Sequence, residues 1–453
     1  MPGEIVKICP RSAPFSLRFF KSDRLLANTH VTPTWINGMS QHRWYAISGD
    51  NPELELNPTA SGTRYLADND PARDPRINPA GTIRERLRRF FGREPLSPWH
   101  GAVGFSAITE SWNSAVYASR YGASGSMILF GGGHNDYFGS DVHAFDLASR
   151  QWRRIADGYV RGGVNEYGAG ARYPDSLYPD GSPLPPHTYD YAQYDALGND
   201  YILFKGQTEL GPHVQAVAIP HLFNLDTLRW RHGPRHPTAI LNSGGWTTWD
   251  ESRRIVWGHS GDDGGGNAFI GFSPDGENAN GTCGYWGDHF PSKLPGVANH
   301  NAMQIDPVRD IIVVSVHAHN ELWAIDPADP GREIVRLRSV GSKPRLRPFA
   351  ALEYAPNLAL LAYFSPLDRG ILYTIAPPSG RGASDKFLGQ WTWHATEPRA
   401  NTLEPIDDAA RHSRYAVNRP HTFGRFRIAS FGAIDLAIVV RHVDSPVYAM
   451  RLN

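Results

Sequence analysis

The sequence predicts an all-β protein: a six-bladed β-propeller closed by a strand from the N-terminal part of the chain. Three observations predict this fold. The 45 glycines and 36 prolines are about 18% of the 453 residues, a composition typical of short strands and tight turns. A strand pattern recurs along the chain. The last copy of that pattern lacks one strand, which an early segment can supply.

The repeat is clearest at Met127–Trp152, MILFGGGHNDYFGSDVHAFDLASRQW. An apolar strand ends in a glycine or polar cluster, and a further strand ends in an aromatic–Asp step that is followed by Trp. Tyr201–Trp230 is the next copy, with the same spacing between the aromatic residue and the Trp. Four weaker copies follow toward the C-terminus. A recurring unit of this kind indicates a repeat architecture.

Each copy follows another strand-like segment, so one unit contains about four short strands. The second strands of the units contain Phe130, Phe204, Trp257, Val314, Ala362 and Val440. Their separation of roughly 50–80 residues suits propeller blades with variable loops, whereas a solenoid has shorter and more regular periods. Six second strands predict six blades. Seven is the alternative if a further blade lies within 51–101 or 376–421.

Ring closure is predicted from the two ends of the chain. The last unit stops at Asn453 after its third strand, and His42–Asp50 (HRWYAISGD) carries the Trp of the missing fourth strand. Pairing the two would remove the exposed edge that an open repeat leaves. The predicted organisation is an N-terminal extension, 1–41, and one propeller domain, 42–453, in which 42–50 complete the last blade.

The glycines that end the second strand and the aromatic–Asp…Trp ending resemble those of a kelch-type β-propeller. The resemblance covers most of Ser111–Asn453 and implies the fold. Kelch propellers include enzymes as well as binding modules, so the fold alone does not give the function.

Composition excludes several classes of protein. Lys plus Arg and Asp plus Glu each total 45, and this balance argues against nucleic acid as the main partner. No apolar run approaches the ~18 residues of a membrane span. Two cysteines, Cys9 and Cys283, rule out a disulfide framework. No signal peptide is recognisable, so we expect a cytoplasmic protein, or an exported one whose signal was removed, and a monomer.

Polar residues concentrate at one mouth of the predicted channel. The loops that enter the inner strands share a face with the loops that join second and third strands. This set is rich in His, Arg and Lys, so the face is expected to be cationic and to suit an acidic polysaccharide or oligosaccharide. The predicted substrate-binding residues are Trp112, Asp136, Gln207, His300, His317, Arg425 and Arg441.

The same face offers the groups for β-elimination from a uronic acid. That reaction needs a cation beside the carboxylate, a base for the C5 proton and an acid for the departing oxygen. His134, Tyr189 and Lys205 supply one of each, and His187 and Asn113 lie beside them in the alignment of the repeats. Lys205 is notable because it interrupts an apolar run, YILFKG.

These residues resemble those of propeller-fold polysaccharide lyases that cleave ulvan or rhamnose–glucuronate chains. The resemblance implies that His134 or His187 is a catalytic histidine, that Tyr189 is the catalytic tyrosine and that Lys205 takes the position of an arginine. Asn113 stands where a second histidine is expected in that family. The best prediction is therefore a polysaccharide lyase.

Two other functions remain open. A glycoside hydrolase or sugar-isomerising propeller would use carboxylates such as Asp136 and Asp190. A non-catalytic module would bind glycan or protein on the same face, with aromatic side chains stacking on sugar. The candidate aromatic residues are Trp112, Tyr137, Phe138 and Tyr363.

No cofactor is required by the sequence. A structural zinc on Cys283 and His289, near His259 and His300, is a weak alternative, because the Cys–His spacing matches no known zinc pattern. Calcium on Asp262 and Asp263 is equally weakly indicated.

Overall fold

The fold was analysed in a computed structural model. It describes residues 31–48, 108–109, 113–131, 140–156, 173, 175–208, 216–238, 241, 244–261, 268–277, 282–291, 294, 299–332, 334–379, 386–398, 422, 424–441 and 446–453. The elements with defined bounds within them are β-strands and two short 3-10 helices, Thr34–Gly38 and Pro366–Asp368. No helix in this part of the chain is long and apolar enough to cross a membrane.

Six four-stranded antiparallel blades account for the sheets of these residues, as predicted. Blade one is β2 (Ala115–Ala118), β3 (Ser126–Leu129), β4 (Val142–Asp146) and β5 (Gln151–Ala156). Blade two is β6 (Ala192–Asp195), β7 (Asp200–Leu203), β10 (His221–Asn224) and β11 (Arg229–His232), with the ribbon β8 (Gly206–Gln207) and β9 (Ala216–Val217) above it. Blade three is β12 (Trp246–Asp250), β13 (Ile255–His259), β14 (Ala268–Glu277) and β15 (Cys283–Pro291).

The remaining blades follow the same up-and-down order. Blade four is β16 (Ala302–Asp306), β17 (Ile311–Val316), β18 (Glu321–Ile325) and β19 (Val335–Gly341). Blade five is β20 (Ala351–Ala355), β21 (Leu360–Phe364), β22 (Leu372–Ala376) and β23 (Gln390–Thr396). Blade six is β24 (Phe426–Phe431), β25 (Ile434–Val439) and β26 (Tyr448–Arg451), with β1 (Trp44–Ala46) as its outer strand.

The ring is closed in the predicted way. β1 pairs antiparallel with β26, and Trp44 lies opposite Met450. The Trp44 indole donates to the Gly370 carbonyl at 2.7 Å, which anchors the closing strand to blade five. Successive inner strands are neighbours around the whole ring, and β24 lies beside β2. The prediction of an all-β six-bladed propeller closed by an N-terminal strand is confirmed.

The repeated aromatic residues pack as pairs within their blades. Phe145 lies opposite Trp152 and Phe223 opposite Trp230, with ring centroids 5.2 and 5.0 Å apart. Buried apolar clusters fill the spaces between neighbouring blades, as between blades three and four around the fully buried Trp246. The sequence pattern therefore marks the residues that hold third and fourth strands together.

Blades four and five are also joined at their outer edges, which was not predicted. β19 and β23 pair in parallel from Arg338 opposite Gln390 to Gly341 opposite Trp393. Gly341 has a φ of +90°, and a Cβ there would lie 2.3 Å from the Trp393 carbonyl oxygen. Only glycine permits this approach of the two backbones.

Ion pairs cross between blades at the end opposite to the channel mouth. Asp195 ends the inner strand of blade two, and its side chain is 1% exposed. The Arg254 guanidinium of blade three donates to both of its oxygens at 2.8 Å. This bidentate pair is the kind with a measurable effect on stability.

Replacing Arg254 tests that contribution. We expect Arg254→Met to lower the free energy of unfolding by about 2–3 kcal/mol, because it leaves a buried carboxylate without its partner. Arg336→Met is the matched control. It breaks a pair with Glu321 at 2.7 Å in which the arginine is 65% exposed, and it should cost no more than about 1 kcal/mol. Urea denaturation measures both; equal losses would contradict the prediction.

Candidate active site at the channel mouth

Strand register brings the predicted blade-two residues together. Ala192 pairs with Leu203, so the chain just before β6 meets the chain just after β7. Tyr189 and Lys205 therefore lie side by side, and the Lys205 ammonium is 4.9 Å from the centroid of the Tyr189 ring. Lys205 Nζ also donates to the His187 carbonyl at 3.4 Å.

Tyr189 and His187 form a potential proton-transfer pair. The Tyr189 hydroxyl lies 3.4 Å from His187 Nδ1, the outer limit of a hydrogen bond. Tyr189 is 3% exposed, whereas His187 is partly exposed. An imidazole that reaches solvent can exchange its proton between turnovers, and it contacts a phenol that is otherwise enclosed.

Two residues of other blades complete the group. The His300 ring lies 5.5 Å from the Tyr189 ring and 4.1 Å from the Phe349 ring, centroid to centroid. His187, Tyr189, Lys205, His300 and Phe349 are called the mouth cluster below. Blades two, four and five contribute to it, as expected of a site at the channel mouth.

Burial keeps the His300 imidazole neutral. Loss of solvent, and then the neighbouring His317, lower the pKa of His300 to about 3. Burial also lowers the pKa of His317, although its Nε2 donates to the Asn299 carbonyl at 2.8 Å. His300 is therefore not a cation of the mouth cluster at neutral pH.

The backbone of the mouth cluster is strained. Tyr189, His300 and Phe349 have φ angles of +44°, +68° and +65°, a region that non-glycine residues seldom adopt. Glycines, Gly244 and Gly424, hold the corresponding positions before the inner strands of blades three and six. A positive φ is therefore a shared feature of the entrances to the inner strands of blades two to six.

Backbone hydrogen bonds hold this strained conformation. The His300 amide donates to the Gly244 carbonyl at 2.7 Å, and the Phe349 amide donates to the His300 carbonyl at 3.0 Å. The Thr422 hydroxyl then donates to the Phe349 carbonyl at 3.1 Å. Each blade entrance is thus bonded to the next one, from blade three to blade six.

An ionic group lies within the channel, next to the mouth cluster. The Arg427 guanidinium contacts the carboxylates of Glu353 and Asp190. Burial raises the pKa of Asp190 to about 7, and Arg427 opposes this shift only in part. Burial also raises the pKa of Glu353. Two carboxyls that protonate more easily than usual therefore share one arginine.

Asn113 and Arg425, predicted at the site, make bonds that join the blades. Asn113 is fully buried, and its amide oxygen accepts from the Thr188 amide and hydroxyl at 3.2 Å. The Arg425 guanidinium donates to the carbonyls of Val440, Arg441 and Asn113. The functions predicted for both residues stay predictions, and these bonds give each one a structural role.

Of the other predicted site residues, two are buried and three lie outside the described residues. Gln207 is buried, and its amide donates to the Pro185 carbonyl at 3.1 Å. Arg441 is 6% exposed, and its carbonyl accepts from Arg425. His134, Trp112 and Asp136 lie outside the described residues.

The residues predicted to bind zinc or calcium lie partly outside the described residues. Among the described residues, no three His, Cys, Asp or Glu side chains are grouped so as to hold a metal ion. The Cys283 thiol donates to the His232 carbonyl at 3.4 Å. The His289 side chain and both Asp262 and Asp263 lie outside this description.

Sequence reasoning missed two residues of this region. Glu353 interrupts the apolar inner strand of FAALEYAP, which is the signal that drew attention to Lys205. Phe349 gave no comparable signal, because an aromatic residue before a strand is ordinary. Its role depends on a backbone angle that the sequence does not display.

Comparisons with known proteins give little further information. No family model and no curated protein matches the chain. Among solved structures it is similar to the α-L-arabinanase of Penicillium chrysogenum complexed with arabinobiose. The two chains are 11% identical with a TM-score of 0.41, and the match covers 75% of this chain and 93% of the other. A likeness at that level does not assign a function.

Proposed function

We propose that this propeller is a carbohydrate-active enzyme that cleaves glycosidic bonds at the mouth cluster. One observation carries the proposal: the Tyr189 hydroxyl lies 3.4 Å from the His187 imidazole, and the Lys205 ammonium lies over the Tyr189 ring, 4.9 Å from its centroid. These three group types meet the needs of acid–base cleavage beside a negative charge. The resemblance of Tyr189, His187 and Lys205 to residues of propeller lyases supports the carbohydrate class.

β-Elimination from a uronic acid is the chemistry that the mouth cluster supports best. Lys205 binds the substrate carboxylate and stabilises the charge that develops when the C5 proton leaves. The pair of His187 and Tyr189 takes that proton and returns one to the departing oxygen. The C5–H electrons form the C4–C5 double bond as the C4–O bond breaks. The neutral His300 lines the site without supplying charge.

The test is an assay of uronic-acid polysaccharides for the unsaturated product, followed by its ultraviolet absorbance. We expect turnover with at least one acidic glycan and a fall of about 10²-fold or more in Tyr189→Phe, which lacks the transferable proton. The free energy of unfolding should change by no more than about 1.5 kcal/mol, because a single hydroxyl is removed.

The matched control is Tyr285→Phe, at a tyrosine that is 48% exposed on β15. It should retain wild-type turnover. Undiminished turnover in Tyr189→Phe would contradict the elimination mechanism. Binding of the glycan without any product would show a binding module and overturn the proposal of an enzyme.

Hydrolysis is the second candidate, and a different observation favours it. Asp190 and Glu353 meet at one arginine, and the pKa of Asp190 is raised to about 7, so it is partly protonated near neutrality. A protonated carboxyl beside a second carboxylate is the pair that glycoside hydrolysis uses. The same assay separates the two reactions, because hydrolysis gives reducing ends without the ultraviolet-absorbing product. Asp190→Asn would then abolish activity, whereas the exposed Asp329→Asn would not.

A further inference from the structure

Two histidines of blade two form a buried relay that ends on a serine. His221 Nδ1 lies 2.9 Å from His232 Nδ1, and His221 Nε2 lies 3.3 Å from the Ser176 hydroxyl. His232 Nε2 lies 2.9 Å from the Gly181 carbonyl oxygen. Ser176 and His221 are fully buried. The relay thus links the outer strands of blade two to the segment 175–186.

Its hydrogens can be assigned from the chemistry of the partners. A carbonyl only accepts, so His232 Nε2 carries the proton and His232 Nδ1 is an acceptor. His221 Nδ1 then donates to it, and His221 Nε2 accepts from the Ser176 hydroxyl. The Ser176 oxygen in turn accepts from the backbone N–H of Gln207 at 2.8 Å. Both imidazoles are neutral in this arrangement.

The backbone around the two histidines and Ser176 has a conformation that allows their close contact. Ser176 has a φ of +64°, an unfavourable angle for serine. A Cβ on Gly206 would lie 2.6 Å from the Ser176 hydroxyl and 2.9 Å from His221 Nε2, so a side chain there would displace the contact. A strained serine opposite an obligatory glycine shows that the contact is closely fitted.

The segment held by the relay leads directly into the mouth cluster. His187 follows it, and further bonds tie its length to blades one and two. The Gln207 side chain donates to the Pro185 carbonyl at 3.1 Å, and the hydroxyls of Ser182 and Ser140 lie 2.8 Å apart. A shift of the segment would therefore move His187 relative to Tyr189.

We propose that Ser176, His221 and His232 are positioning residues that dock the segment 175–186 and thereby place His187, and that protonation of the histidine pair releases the segment. The docking depends only on the contacts above. Its consequence for turnover rests on the proposed function.

The sign of the pH effect follows from the neutral pair. Burial lowers the pKa of His232 to about 4, and burial together with His232 lowers that of His221 well below its usual value. Protonation of His232 at Nδ1 would set two N–H groups against each other across the 2.9 Å contact, and protonation of His221 at Nε2 would replace the acceptor of the Ser176 hydroxyl with a donor. We expect ordinary pKa values in the undocked state, so docking weakens about tenfold per pH unit through His232 as the pH falls from about 6.5 toward 4, and His221 acts in the same direction.

The neighbouring titratable groups form their hydrogen bonds with partners other than the two imidazole rings. Arg231 precedes His232 and pairs with Asp200. The Cys283 thiol of blade three donates to the backbone carbonyl of His232 and not to its ring. Among the described residues, the hydrogen-bonding partners of the two rings are thus each other, a hydroxyl and a carbonyl.

The test is amide hydrogen exchange in the full chain at about pH 7 and about pH 4.5, corrected for the intrinsic exchange rate. We expect the protection factors of the amides in the segment 175–186 to fall at least about tenfold at the lower pH. The inner strands should keep their protection at that pH. His232→Phe should show this loss already at pH 7 and remove most of its pH dependence. His394→Phe, at an exposed histidine of β23, is the matched control and should behave as the wild type.

Equal protection of the segment at both pH values would overturn the proposal, as would simultaneous loss in the segment and the inner strands. The second measurement is turnover of the acidic glycan by His232→Phe. We expect a lower kcat than in the wild type, and a smaller decrease of kcat as the pH is lowered. If no glycan is cleaved by the wild type, the proposed function fails, and the exchange result still decides the docking.

Discussion

Arg427→Met is expected to destabilise the propeller by about 3–5 kcal/mol, because it leaves two buried carboxylates without a counter-charge. The guanidinium contacts Glu353 of blade five and lies 3.5 Å from Asp190 of blade two. It also donates to the carbonyl of Ala115 in blade one at 2.8 Å and to that of Ala192 in blade two at 3.2 Å. One side chain of blade six therefore joins three other blades across the channel.

The stability that Arg427→Met loses should increase as the pH rises. Without the arginine, burial would raise the pKa values of Asp190 and Glu353 further above those of the unfolded chain. An acid with a raised folded pKa destabilises the fold as the pH rises and the group ionises. The difference between wild type and variant should therefore be larger at pH 8 than at pH 5.5, as measured by urea denaturation at both.

Two companion variants make the measurement specific. Glu353→Gln in the Arg427→Met background should recover part of the lost stability, because one of the unpaired charges is removed. Arg338→Met removes the same charge from an exposed position on β19 and should change stability by less than about 1 kcal/mol. A pH-independent loss of similar size in both single variants would show that Arg427 contributes no more than a surface charge.

The fold could be predicted because its signals are local. The Phe–Asp…Trp endings that mark Phe145 and Trp152 are the pairs that pack third strand on fourth. Trp44 was recognisable as the missing member of the last blade. The parallel pairing of β19 with β23 could not be foreseen, because nothing in either strand specifies a partner in another blade.

The candidate site was predictable only where a residue breaks its local pattern. Lys205 stands out in an apolar run and lies against Tyr189, as expected. Arg425 is equally conspicuous in the sequence, yet it donates to backbone carbonyls, because burial and bonding partners emerge only with the tertiary structure. The contact between His221 and His232 depends on the register of two strands, which a list of residues does not reveal.

Gly245→Ala is expected to destabilise the protein by about 3 kcal/mol, the upper range for an overpacked core. A Cβ at this position would lie 1.6 Å from the Tyr191 hydroxyl, 2.0 Å from its ring carbon and 2.5 Å from the His259 carbonyl oxygen. Tyr191 is fully buried, and its hydroxyl donates to that same carbonyl at 3.3 Å. The tyrosine cannot withdraw without giving up this contact between blades two and three.

The displaced ring would also disturb the mouth cluster, because the Tyr191 ring lies 5.8 Å from Lys205 Nζ. Tyr191→Phe in the Gly245→Ala background should recover only part of the stability, since the ring carbon would still be too close. Gly331→Ala is the matched control: its nearest neighbour would be a Phe290 ring carbon at 3.2 Å, and the effect should stay within about 1 kcal/mol. Thermal and urea denaturation measure all three variants. A Gly245→Ala protein as stable as the control would mean that Tyr191 has room to move, and that the approach of blade three to blade two is looser than these distances require.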